Sequence, residues 1–101
     1  MARPEIVITN PTTGIKLVKF EIPGGVTTPA EFAEAVAAMP KLSGDCVVLV
    51  NGRGPVWGYG MILHEAHATP AVACFDPRLG YIIVQSHDSR YEVGGTIDFN
   101  E

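Results

Sequence analysis

No stretch of this 101-residue chain approaches the roughly 18 to 20 uninterrupted apolar residues that a membrane-spanning helix requires. The amino terminus has neither a basic lead nor an apolar signal core. The expected setting is therefore cytoplasmic, with no membrane partner. Positive charge is scarce too: 7 Lys and Arg against 11 Asp and Glu leave a formal charge of −4. That balance argues against a general nucleic-acid coat, because neutralisation of phosphates by Lys and Arg supplies non-specific affinity. An anionic ligand must be met by a local cluster. Cysteine is limited to Cys46 and Cys74, each alone inside an apolar, strand-like run. With no Cys-x-x-Cys pair and no ligand-like spacing, a zinc knuckle is not expected, and both read as buried core thiols.

What is present is a 47% hydrophobic composition in a length that suits one domain over 1–101. A domain this small buries proportionally little of its surface, which makes it a candidate for oligomerisation. Ile6 and Ile8 alternate with polar residues from Glu5 to Asn10. The alternation resumes from Ile15 to Ile22 after a turn at Pro11 to Gly14, so an opening hairpin is expected. Thr28 suits an N-cap, Pro29 the first helical position and Glu31 a capping box; Phe32, Val36 and Met39 share one face of the helix that follows, and Pro40 stops it.

Cys46 to Val50 is a continuous apolar run, expected as a central strand buried on both faces. Gly54 to Ala68 is expected as a second helix begun by Pro55, with Gly58 and Gly60 allowing close packing. Strands from Ala71 to Phe75 and Tyr81 to Ser86 flank a tight turn at residues 76–80, and a short last strand is expected over Thr96 to Phe99. The strand-helix-strand-helix-strand order predicts a small α/β sheet of Rossmann-like type, with two helices and antiparallel edge strands.

Three groups of residues could carry chemistry. Asn51, Gly52, Arg53 and Gly54 stand where the central strand passes into a helix, a place where backbone N–H groups and the helix dipole favour anions. The run lacks the complete dinucleotide and ATP fingerprints, and a plain glycine turn with a solvated Arg53 is the alternative. His64-Glu65-Ala66-His67 is one residue short of the zinc-protease H-E-x-x-H, so that reading is rejected. His67, expected in the last helical turn, suits phosphate binding or acid catalysis, or simply complements the helix end. Asp76, Pro77 and Arg78 set a carboxylate and a guanidinium side by side at a turn, suited to a hard metal and a phosphate oxygen or to a surface ion pair. His87 lies just past the fifth strand.

If the two last long strands form a hairpin, Asp76 and Arg78 sit at its turn and His67 and His87 at its open end. Five or six residues at roughly 3.3 Å each separate the ends by about 15 to 20 Å. One chain then keeps His67 and Asp76 apart. Either they do unrelated jobs, or the histidine end of one subunit meets the carboxylate end of another in a head-to-tail contact.

Asn51 to Trp57, His67 to Pro70, Asp76 to Gly80 and Val84 to His87 closely resemble motifs of the Csx-three family of CRISPR-associated ring nucleases, in order and at the same spacing. The resemblance is dense in the second half of the chain and limited to element order in the first. It implies a Rossmann-like homodimer related to cyclic oligoadenylate sensor domains, with two dimers sandwiching the ring as a tetramer. It also implies a manganese-dependent (Mn2+) nuclease that linearises cyclic tetra-adenylate to di-adenylates and so switches off type III CRISPR antiviral signalling. By motif position the resemblance carries function onto His67, Asp76, Arg78 and His87. Asp76 is then the metal anchor, Arg78 a phosphate ligand, His67 an acid or base and His87 an orienting or phosphate-binding group. Competing readings are a non-catalytic sensor of cyclic oligoadenylate or short RNA, a manganese-dependent exonuclease trimming adenylates from linear RNA, and an α/β module with a purely structural oligomeric surface.

Overall fold

The computed structural model describes residues 2–42 and 44–100. The elements run β1 (Glu5–Thr12), β2 (Ile15–Glu21), a short 3-10 turn (Pro23–Gly25), α1 (Pro29–Ala37), β3 (Val47–Gly52), α2 (Val56–Glu65), β4 (Ala71–Asp76), β5 (Gly80–Ser86) and β6 (Thr96–Ile97). The strands lie side by side in chain order. β2, β3 and β4 are parallel, while β1, β5 and β6 pair antiparallel at the flanks. This is the mixed α/β sheet with two helices that the element order predicts. Among the described residues no helix is long and apolar enough to cross a membrane.

Both crossovers step to the neighbouring strand in the same direction, so right-handed connections put both helices on one face of the sheet. There Phe32 and Val36 of α1 and Ile62 of α2 close over Val18, Phe20, Val48, Val50 and Val72. The opposite face buries Leu17, Leu49, Ala73 and Tyr81 beneath Tyr91, Ile97 and Phe99 of the C-terminal segment. Val47 to Val50 are accordingly buried on both faces, as the apolar run predicts.

α1 begins as its residues dictate. Thr28 Oγ1 accepts the Glu31 N–H at 3.1 Å, and the same hydroxyl donates to Glu31 Oε1 at 3.1 Å. α2 is shorter at both ends than the expected Gly54 to Ala68. Pro55 is held extended as its N-cap (φ −72°, ψ 156°). At the far end Thr69 Oγ1 donates to Ala66 O at 2.7 Å, and Pro70 disfavours helical geometry in the residue before it. The two α2 glycines also part company. A Cβ on Gly58 would lie 2.8 Å from Cζ of Phe32, so this glycine is where α1 approaches, whereas Gly60 faces open space. Both cysteines are half-buried rather than fully buried. Even so, burial pushes the Cys74 thiol up to about 11, which suits an inert packing role.

Candidate functional site

The parallel strands deliver two turns to the carboxyl edge of the sheet. The first is Asn51 to Pro55. Its glycines have a structural cause that sequence alone does not display: a Cβ on Gly52 would run into the Phe20 ring, and one on Gly54 would come within 2.6 Å of it. Tyr59, one turn into α2, latches the same loop, its hydroxyl donating to Gly52 O at 2.6 Å and accepting the Gly52 N–H at 3.1 Å. Burial raises the Tyr59 pKa, which keeps the phenol a donor. The Gly52 amide is therefore committed inside the protein. Asn51 Nδ2 donates to Tyr81 Oη at 3.2 Å, tying this loop to the start of β5. Arg53 is exposed at the tip and has no ion pair among the described residues.

The second turn, residues 76–80, closes the β4–β5 hairpin with Asp76 opposite Gly80. Asp76 Oδ1 accepts the N–H groups of Arg78 at 2.8 Å and Leu79 at 3.1 Å, a side-chain-capped turn. Gly80 supplies the positive φ of 86° that returns the chain into β5. The side chains of Asp76 and Arg78 form no ion pair among the described residues, and Arg78 is exposed.

His67 and His87 stand at the other end of the same hairpin, since β4 pairs Ala71 with Ser86 there. His67 lies beyond the end of α2, in the turn that follows, rather than in the helix's last turn; His64 holds that place. The His87 N–H donates to Pro70 O at 2.8 Å, and Gln85 Nε2 donates to His67 O at 3.2 Å. These bonds bring two exposed imidazoles together, perpendicular at 86° with centroids 5.2 Å apart. The chain thus gathers Asn51, Gly52, Arg53, Gly54, Asp76 and Arg78 at one edge of the sheet and His67 and His87 at the other.

Three residues at these edges escaped the sequence reading. Tyr59 and Tyr81 position the Arg53 loop; Tyr81 was legible only as the first residue of a strand. Arg90 is the third. It grips Asp88 through Nη2 to Oδ2 at 2.7 Å and lies 5.5 Å from the Tyr91 ring centroid. Those bonds hold the Asp88 carboxyl down to about 2. The signal was an Asp-x-Arg spacing identical to that of Asp76 and Arg78.

Among the described residues no three of His, Cys, Asp and Glu converge to hold a metal ion. At the 76–80 turn the carboxylate open to a divalent ion is that of Asp76, whose Oδ1 already serves the backbone. A hard cation at that edge would draw its remaining ligands from phosphate oxygens, water or a second copy.

A parallel α/β core carrying polar loops at the carboxyl ends of its strands defines a small α/β fold of Rossmann-like type. The chain belongs to the family described as CRISPR-associated protein (Cas_csx3), which matches residues 25–98. It is also 43% identical over 51 residues to a protein of Aquifex aeolicus (strain VF5) named only as an uncharacterized protein. That match takes in 50% of this chain and 46% of the relative, so the chain spans less than half of the relative's length.

Proposed function

We propose that this chain is a ring nuclease that opens cyclic tetra-adenylate to di-adenylates with manganese and so ends a type III CRISPR antiviral signal. Membership of a CRISPR-associated family supports the setting. The observation that carries the chemistry is the division of the site residues between the two ends of the β4–β5 hairpin. Neither end is complete alone. Two copies stacked head to tail bring the His67–His87 end of one against the Asp76–Arg78 end of the other, and the ring lies between them.

In that arrangement Arg78 and Arg53 hold phosphate through charge-assisted hydrogen bonds. His67 moves the proton between the reacting oxygens, and His87, whose ring packs beside it, orients the phosphate. Asp76 would hold manganese through a carboxylate oxygen, and the ion when bound supplies positive charge at the phosphate. A ring of few phosphates needs only such a local cluster, so a chain of net charge −4 can bind it.

The test is incubation of purified protein with cyclic tetra-adenylate, with manganese or with a chelator, and chromatography of the products. Metal-dependent conversion to shorter linear adenylates is expected. Tight binding without turnover would make the protein a sensor or a store of the messenger instead. Preference for linear over cyclic adenylate would make it an exonuclease.

A further inference from the structure

A groove of about 770 Å³ opens beside the Arg53 loop, between the 3-10 turn that follows β2 and the start of α2. Positive φ at Gly24 (73°) and Gly25 (78°) folds that turn back, so that Val26 and Thr27 form one wall while Arg53, Pro55 and Trp57 form the other. Its volume falls in the range of about 300 to 1,000 Å³ usual for small-molecule sites. From the groove and its lining we infer that it is a subsite for one nucleotide unit, with the base against Trp57 and Val26 and the phosphate at Arg53. The inference rests on the adenylate-binding reading above and assigns part of that ligand a place.

Four features of the groove converge on this chemistry. Trp57 is 37% exposed, and its one aromatic neighbour among the described residues, Phe32, meets it at 82° rather than stacked. An indole in that state is a stacking platform that any base can use. Val26, 56% exposed on the facing wall, supplies an apolar surface with no core to bury in. Arg53 presents a guanidinium with no ion pair among the described residues, and its planar fork suits phosphate. Pro55 gives α2 no side-chain cap, so the Val56 and Trp57 N–H groups are left for solvent or for an anion, while that of Gly58 turns back to Pro55 O.

Two polar groups in the lining bear on selectivity. Thr27 Oγ1 is sealed from solvent with no hydrogen-bond partner among the described residues. Rotation of that hydroxyl toward the groove would give a base edge either a donor or an acceptor. The Glu21 carboxylate also lines the groove. It repels a bare anion and accepts from an exocyclic amine, which favours a nucleotide with an amino-bearing base over free phosphate.

The experiment exploits the single tryptophan of the chain, whose fluorescence reports this groove. The protein is titrated with adenosine monophosphate, inosine monophosphate and inorganic phosphate, and affinities are confirmed by calorimetry. Saturable quenching by adenosine monophosphate is expected, weaker quenching by the inosine nucleotide and none by phosphate. Base–aromatic stacking predicts about tenfold weaker calorimetric binding for Trp57→Leu. Val26→Asp, a change at an exposed position, should weaken binding similarly without disturbing the fold. No saturable response to adenosine monophosphate overturns the subsite, as does an equal response to phosphate alone.

The two levels of the reading fail separately. Saturable quenching without cleavage of cyclic tetra-adenylate keeps the subsite and removes the nuclease. Manganese-dependent cleavage with an unchanged KM in Trp57→Leu and Val26→Asp keeps the nuclease and removes the subsite.

Discussion

β5 is bracketed by two turns of the same spacing, Asp76-Pro77-Arg78 before it and Asp88-Ser89-Arg90 after it, and they end in opposite electrostatic states. In both, the aspartate accepts the backbone N–H of the arginine two residues on, at 2.8 Å and 2.9 Å. Beyond that they diverge. Asp76 spends the same oxygen on the Leu79 N–H and leaves the Arg78 side chain to solvent. Asp88 instead takes its arginine's guanidinium on both oxygens, and that guanidinium also lies near the Tyr91 ring. A self-paired turn has spent its charge. A turn whose arginine has no ion pair among the described residues keeps that cation for a ligand. Spacing alone therefore does not mark a site here; what the neighbouring backbone and ring do with the side chains decides it.

The widest test of the contrast is catalytic. Loss of a positioned acid or base costs roughly 100-fold or more in rate. His67→Ala and Asp76→Ala should each fall by at least that factor in cleavage of cyclic tetra-adenylate, whereas Asp88→Ala should stay close to the parent. Because one chain holds the two proposed catalytic groups at opposite ends of a hairpin, mixing the His67→Ala and Asp76→Ala proteins should restore part of the rate. A mixture that stays dead removes the shared site between copies.

Next in size is binding. A hydrogen bond to a charged group contributes about 1.5 to 3 kcal/mol, so Arg78→Ala should weaken cyclic tetra-adenylate binding by roughly 10- to 100-fold. Arg90→Ala, whose guanidinium already serves Asp88, should change it by less than about threefold, as expected of an exposed pair. Equal losses would mean that the two turns are electrostatically alike, against their geometry.

Much of this arrangement was legible in the residues. Thr28, Pro29 and Glu31 announce α1, the apolar run before Asn51 announces the doubly buried strand, and the turn at 76–80 announces the hairpin, though not the register shift between Val72 and Ala73. The separation of Asp76 from His67 needed only the rise of a strand. Two kinds of information were not local. Gly52 and Gly54 look like a ligand loop in sequence, yet the requirement for glycine comes from Phe20, a residue on another strand. The commitment of the Gly52 N–H to Tyr59 likewise depends on how α2 lands on the sheet. The length of α2 was overestimated because Ala66 and Ala68 favour helix, while the Thr69–Pro70 pair that stops it acts through a side-chain bond and a steric clash. Where the fold turns on periodicity the sequence suffices; where a side chain reaches across elements it does not.

A smaller effect separates the turn-capping role of Asp76 from the metal-holding role proposed for it. Asp76→Asn keeps an oxygen that can accept the Arg78 and Leu79 N–H groups, so it should unfold close to the parent in a denaturant titration while losing cleavage. Asp76→Ala removes the acceptor and should cost about 1 kcal/mol in addition. If Asp76→Asn retains full cleavage, the carboxylate is only a turn cap, and the contrast with Asp88 reduces to local geometry.

The finest test is acid titration of Asp88. Its folded pKa of about 2 lies below the ordinary 3.8 because Arg90 bonds to the ionised carboxylate. A depressed folded pKa contributes stability that is present above the unfolded value and is lost as pH falls through the folded one. The Asp88 contribution should therefore be intact at neutral pH and fade only between about 3.8 and about 2. Carboxyl-carbon NMR should place the midpoint near the lower figure. In Arg90→Ala it should climb toward the ordinary value without reaching it, because the backbone N–H of residue 90 still donates to Oδ1. A midpoint already ordinary in the parent would mean that the grip is loose in solution. Arg90 would then stand beside Arg78 as an available cation, and its neutrality toward the ring would have to be tested afresh.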